Sequence, residues 1–179
     1  LASVQQVLIL PSWDRPHGDL AVIVEVICDH PHVFISSPSH SLSDIKNITF
    51  KKLINETPLL REQGSGTRML LHRFLTEQKI EWRKGMEMCS SESIKQGVMA
   101  GLGIAFISAH TIAVEVEEER LAVLDVAGTP LVRHWYLVRL QEKTTSSQPR
   151  FLGISREKLS GISPKAIKLP TWLQYSEPR

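Results

Sequence analysis

Cysteine is nearly missing from this chain, with only Cys28 and Cys89 in 179 residues. Two thiols do not make the disulfide framework of a small secreted scaffold, and neither has a Cys-x-x-Cys partner or a histidine at metal spacing. They read as two buried or partly buried thiols in a reducing compartment. A strong excess of one charge is also missing. The net charge is +2, which predicts no extensive nucleic-acid surface. No apolar run approaches the roughly 20 residues that cross a bilayer. Leu1–Gln5 shows neither the basic start nor the apolar run of a secretory signal. The first residue is Leu rather than Met, which leads to the expectation of a fragment.

The motifs of common chemistry are missing too. There is no Gly-x-Gly-x-x-Gly, no P-loop, no Gly-x-Ser-x-Gly elbow and no His-Glu-x-x-His. His30 and His32 bracket Pro31 but find no further ligand at metal spacing. The Glu115–Glu119 run reads as the wet face of a helix. No nucleophile–base pair and no carboxylate pair stands out, so the expectation is no enzyme, no metal and no resident cofactor.

What is present is ordinary globular material, 42% hydrophobic and 22% charged, enough to bury a core in one domain or two small ones. Charge is uneven. From Lys143 onward there are seven Lys/Arg against two Glu, while residues 1–142 carry 14 against 17. A basic tail can meet DNA or an acidic partner, although most such tails are simply solvated ends.

Short apolar runs at Val7–Leu10, Leu20–Ile27 and Val33–Ser36 read as strands, the last two separated by Asp29-His30-Pro31. Thr49–Glu56 reads as a short helix that Thr49 can cap. Thr67–Gln78 reads as an amphipathic helix with Leu70, Leu71, Phe74 and Leu75 inward. Strands at Gly85–Cys89, Gly103–Ile107, Leu121–Val126 and Arg133–Arg139 alternate with helices at Ser91–Ala100 and Ala109–Glu119. That alternation implies βαβ units and a largely parallel sheet. Residues 12–19 and 141–150 read as loops.

Two strand-to-helix junctions carry the candidate site. At Gly64-Ser65-Gly66-Thr67-Arg68, glycines let the backbone turn and approach a ligand. The helix start offers free N–H groups and the positive end of a dipole, and Ser65, Thr67 and Arg68 add donors. Ser90 and Ser91 repeat the arrangement at the next junction. In open α/β sheets ligands bind outside the carboxyl ends of strands, where both junctions lie. The plainer alternatives are a glycine turn at the first junction and a serine cap at the second.

Arg61-Glu62-Gln63-Gly64-Ser65-Gly66-Thr67-Arg68 resembles the Arg-Glu-Pro-Gly-Ser-Gly-Thr-Arg signature of LysR-type regulators of carbon-fixation operons. Ser90 through Ile104 resembles their Ser-Asn-Glu-x-Ile-Lys-Gln-Ala-Val-x-Ala-Gly-Leu-Gly stretch. Leu124–Pro130, Arg133–Tyr136, His30–Val33 and Ser37–His40 match as well, so the likeness spans about residues 19–140.

The resemblance implies an α/β, type II periplasmic-binding-protein-like fold of two Rossmann-like lobes joined by a two-strand hinge. By analogy lobe one holds 1–37 and 132–179, incomplete at its N-terminus, and lobe two holds 38–131. It implies a cytoplasmic effector-sensing domain whose ligand, a phosphorylated or carboxylate metabolite or NADPH, sits in the interlobe cleft. It also implies a homodimer, a tetramer in the full-length protein, no membrane, and DNA contact only through an N-terminal helix-turn-helix absent from these residues. A solute-binding protein for transport shares the fold and is the alternative. It would need a signal peptide or lipid anchor.

Overall fold

The computed structural model describes residues 7–10, 22–82 and 85–140. The expected loops at 12–19 and 141–150 and the basic stretch beyond Lys143 lie outside the described residues. In chain order the elements are β1 (Val7–Leu10), β2 (Val22–Ser36), α1 (Phe50–Leu53), β3 (Pro58–Arg61), α2 (Gly66–Glu77), β4 (Met86–Met88), α3 (Ser91–Met99), β5 (Ile104–Ser108), a 3-10 turn (Ala109–Thr111), α4 (Ala113–Glu117), β6 (Ala122–Leu124) and β7 (Leu131–Leu140). The chain divides into two compact units. It passes from the first to the second inside β2, between His30 and Pro31, and returns inside β7, between Val132 and Arg133.

In the first unit β1 runs antiparallel to β7, with Val7 opposite Arg139 and Leu10 opposite Tyr136. Asp29 accepts from or pairs with His134 at 3.0 Å, and the His30 ring lies 4.9 Å from Trp135. These contacts explain one departure from the sequence reading. Asp29-His30-Pro31 does not divide two strands, because β2 is continuous through it. The ladder to β5 begins only at His32, so the missing N–H of Pro31 costs that ladder no bond.

In the second unit the sheet order is β6, β2, β5, β3, β4. β3 is parallel to β4 and β5, but β2 is antiparallel to both β5 and β6. The sheet is therefore mixed, and the parallel expectation holds only where strands are linked through α2 and α3. No single crossover helix links β2 to its neighbours, so nothing dictates a parallel direction there.

Helices cover both faces of this sheet, so both sides of each central strand are apolar. Val33, Ile35, Ala105 and Ile107 pack with Ile94 and Val98 of α3 and with Ile112. Phe34, Ile104 and Phe106 face the other way, with Leu53 of α1 and Leu71 of α2. In α2 Leu71 and Phe74 are buried while Leu70 and Leu75 are half-buried at the margin of that cluster.

Two helical expectations change. Thr49 makes no side-chain cap to α1, which is a single turn rather than two. The helix expected over Ala109–Glu119 is interrupted at Ile112, whose φ of −120° and ψ of 6° leave the helical region while its side chain enters the core. Thr111 Oγ1 donates to Ser108 O at 2.7 Å and tightens the turn before it. The acidic face of α4 is not uniformly wet either. Glu115 is buried and accepts from Lys95 Nζ at 2.6 Å, which ties α4 to α3. No helix among the described residues is long and apolar enough to cross a membrane.

Gly103 lets the turn after α3 approach the sheet. A Cβ there would lie 2.1 Å from Thr57 O, the oxygen that accepts from Ile104 N at 3.0 Å and sets β5 against β3. Gly103→Ala is expected to destabilise the unit by about 1–3 kcal/mol, measured as a lower urea midpoint. An unchanged midpoint would show that the approach is not needed.

Burial alone would raise the Glu115 carboxyl above 4.5, but the Lys95 ammonium outweighs it and holds the group lower. The pair thus contributes stability above pH 4.5 and loses it as pH falls through the lowered value. Lys95→Met is expected to cost about 1–3 kcal/mol at neutral pH. Thermal melts should show that gap closing at acid pH, and a gap that widens on acidification would contradict the coupling.

Candidate functional site

β3 ends at Arg61, and the chain must reverse within four residues to start α2. Gly64 makes the turn with a φ of +87°, a conformation that disfavours side chains. Ser65 then enters α2 in an extended conformation, and its side chain makes no cap. Met69 N bonds to Ser65 O at 2.9 Å, so the first-turn N–H groups of Thr67 and Arg68 precede the regular helical ladder. α2 runs for 12 residues, long enough for its dipole to place partial positive charge at this end.

The side chains around the turn are not equivalent. Thr67 Oγ1 lies 3.5 Å from His32 Nε2. Arg68 reaches back to β3 and across to β4. Its Nη1 donates to Arg61 O at 2.8 Å and to the Glu87 carboxylate on β4. A charge held by a carboxylate and a carbonyl is a brace first and an anion donor second.

The second junction follows β4. Ser90 Oγ accepts from Ser93 N at 3.0 Å and lies 2.8 Å from Ser93 Oγ, so the simple cap reading is correct for Ser90. Ser91 instead reaches the first junction, because its Oγ accepts from Arg61 Nη1 at 3.1 Å. Arg61 also holds Glu62 in a two-point pair, Nε to Oε2 at 2.7 Å and Nη2 to Oε1 at 2.8 Å. That hydrogen-bonded guanidinium lowers the Glu62 carboxyl to about 2.

Of the seven residues expected at the site, Gly64, Ser65, Gly66, Thr67 and Arg68 form one continuous turn and Ser91 is joined to it through Arg61. Ser90 is directed to its own helix. Sequence reading named neither Arg61 as the link nor His32 and Glu87 as neighbours of the turn. A signal for His32 existed: it continues the Phe34 face of β2, where an apolar residue is expected, and it is 1% exposed.

Cys89, expected to be at least partly buried, is exposed. It follows β4, which stops at Met88 and lies at the edge of the sheet. Cys28 is half-buried, and burial followed by the Asp29 carboxylate raises its thiol. Both are free thiols. Among the described residues no group of three or more His, Cys, Asp or Glu is placed to hold a metal ion. A groove of about 650 Å³ beside α2, floored by Leu60, Leu71, Leu75 and Trp82, shares only Arg68 with the expected set.

A mixed α/β unit with two helix starts braced at the carboxyl ends of adjacent parallel strands is periplasmic-binding-protein-like in fold. The profile of the LysR substrate binding domain family matches residues 12–160, and the chain belongs to that family.

An HTH-type transcriptional regulator, CbbR, of Sinorhizobium medicae is 46% identical over 139 residues, covering 76% of this chain and 44% of the relative. A RuBisCO operon transcriptional regulator of Allochromatium vinosum is 42% identical over 131 residues, covering 73% and 43%. The chain thus spans less than half the length of these curated relatives. Among solved structures, the Synechocystis CcmR regulatory domain in complex with 2-PG superposes with a TM-score of 0.68 at 31% identity, covering 78% of this chain and 66% of that one.

Arg61→Ala is expected to release both Glu62 and Ser91. In an NMR titration the Glu62 carboxyl should move from about 2 back toward 4.5. Amide exchange in the first turn of α3 should quicken. A Glu62 carboxyl that stays low in the variant would show that Arg61 is not what holds it.

Proposed function

We propose that this chain is the effector-sensing domain of a LysR-type transcriptional regulator that controls carbon-fixation genes. The similarity to CbbR and to a RuBisCO operon regulator carries that reading. The effector is a small anionic metabolite, a phosphorylated or carboxylate compound or NADPH. The CcmR domain, solved with 2-PG, supports a small ligand for domains of this kind.

Its anionic group is held at Gly64, Ser65, Gly66, Thr67 and Arg68, with Ser90 and Ser91 at the neighbouring helix start. Support comes from the start of α2, where no Ser65 side-chain cap competes for the N–H groups, and from the helix dipole. Thr67 and the backbone are the direct donors. Arg68 and Arg61 set the turn, because their guanidinium groups are already engaged with Glu87, Glu62 and Ser91.

In this reading the lobes run 1–37 with 132–179 and 38–131. The passage of the chain between two compact units inside β2 and β7 supports a two-lobe division. The domain forms a homodimer, a tetramer in the full-length protein, and is cytoplasmic. DNA is read by a helix-turn-helix N-terminal to these residues. Effector binding shifts a conformational population and drives no reaction.

Calorimetry tests the placement. Thr67→Ala is expected to weaken binding of an anionic effector at least tenfold, since a hydrogen bond to a charged group is worth about 1.5–3 kcal/mol. Arg68→Ala should weaken it less. Unchanged affinity in both variants would remove the site from this turn. In thermal shift assays with phosphorylated metabolites, carboxylates and NADPH, an effector at a hundredfold its Kd should stabilise the domain by about 2.7 kcal/mol.

A further inference from the structure

The far end of α2 is built to leave an apolar groove beside it. Lys79 takes a φ of +55° just past the helix, the left-handed position where glycine is usual. Its N–H bonds to Thr76 O at 3.0 Å, and Ile80 N returns to Leu75 O at 2.9 Å. This double closure folds the chain back and brings Ile80 into the same groove lining as Leu75. Trp82 forms a fixed wall, because its Nε1 donates to Glu56 O at 3.2 Å and its ring lies 5.8 Å from Phe34.

With Leu60 and Leu71 these side chains line about 650 Å³. All of them but Leu71 keep part of their surface in solvent. The rim is electrically balanced. Lys79 and Glu81 are both exposed with opposite signs, and Arg68 is engaged by Glu87. The groove therefore fits an occupant that is apolar and carries no charge.

The chain itself contains such a segment. Residues 161–179 lie beyond the family match, which ends at 160. Within them, residues 169–176 carry no charge and include Leu169, Trp172, Leu173 and Tyr175. Large apolar side chains gathered this closely gain by leaving water. The 28 residues between Leu140 and Leu169 can span up to about 100 Å, so reach sets no limit. Tethering also raises the local concentration of the segment to about millimolar, which favours it over a dilute separate partner.

We propose that residues 169–176 dock in the groove beside α2 of their own chain, with Trp172 and Leu173 packed on Leu75, Ile80 and Trp82. The docking site is separate from the anion-binding turn and does not depend on it. A segment outside the matched family region thereby gains a hold on the helix whose first turn carries that turn.

Hydrogen exchange on the 179-residue chain reads both sides of the contact. In the unaltered chain, residues 169–176 should exchange at least about tenfold more slowly than a free peptide of that sequence. Trp172→Ser together with Leu173→Ser should quicken the Gln78 and Ile80 amides, which close α2, by about tenfold and leave α3 unchanged. Thr76→Arg fills the groove from an exposed position on α2, so it should release the segment to free-peptide rates without disturbing the core.

The proposal is overturned if residues 169–176 already exchange like the free peptide, or if Thr76→Arg leaves them protected. It is overturned equally if the Gln78 and Ile80 amides ignore the segment substitutions. A contact within one chain does not depend on concentration, so protection that fades on about a hundredfold dilution would assign the groove to a second copy's segment instead.

Discussion

The pairing of β2 with β5 is the constraint on which the larger unit depends. Each strand is buried on both faces, and alternate residues feed two different cores. One core fixes α3 against the sheet and the other fixes α1 and α2. A shift of register by one residue would exchange the two sets and leave both helical layers packed on the wrong side chains. The ladder therefore determines where α2 begins relative to the end of β2, and so how Thr67 stands against His32. The polar end of the ladder is positioned by its apolar remainder.

Charge in the site is used mostly for construction. Arg61 holds Glu62 and Ser91, Arg68 holds Glu87 and the Arg61 carbonyl, and Lys95 holds Glu115 across α3 and α4. With these cations engaged inside the unit, the anion placement proposed above relies on backbone N–H groups and the end of the α2 dipole. Such a site offers fixed partial charge rather than a mobile ammonium or guanidinium. It suits a sensor, which must release its ligand as concentration falls. The modest net charge of the chain fits the same division of labour.

Much of this was legible from the residues. The 3.6-residue spacing of Leu71 and Phe74, and of Ile94 and Val98, located α2 and α3 to within a residue or two, because strong amphipathic periodicity leaves little choice of face. The two strand-to-helix junctions were legible for the same reason. Asp29-His30-Pro31 misled, since proline punctuates a strand only where its N–H would have been bonded. The α4 region misled because a local pattern does not reveal that Ile112 gains more by entering a core than by continuing a helix. Glu115 sat in an acidic run, and its partner lies 20 residues away on another helix.

The sequence by itself determined the family, the places of α2 and α3, and the turn at Gly64, because spacing and glycine content are local properties. The tertiary structure alone decided which members of the expected site act together. It spent the Ser90 hydroxyl on a cap, turned Arg68 toward Glu87, linked Ser91 to the turn through Arg61, and set His32 beside Thr67. Contacts between distant segments depend on strand register and helix placement, and those are fixed only when both faces of the sheet are filled.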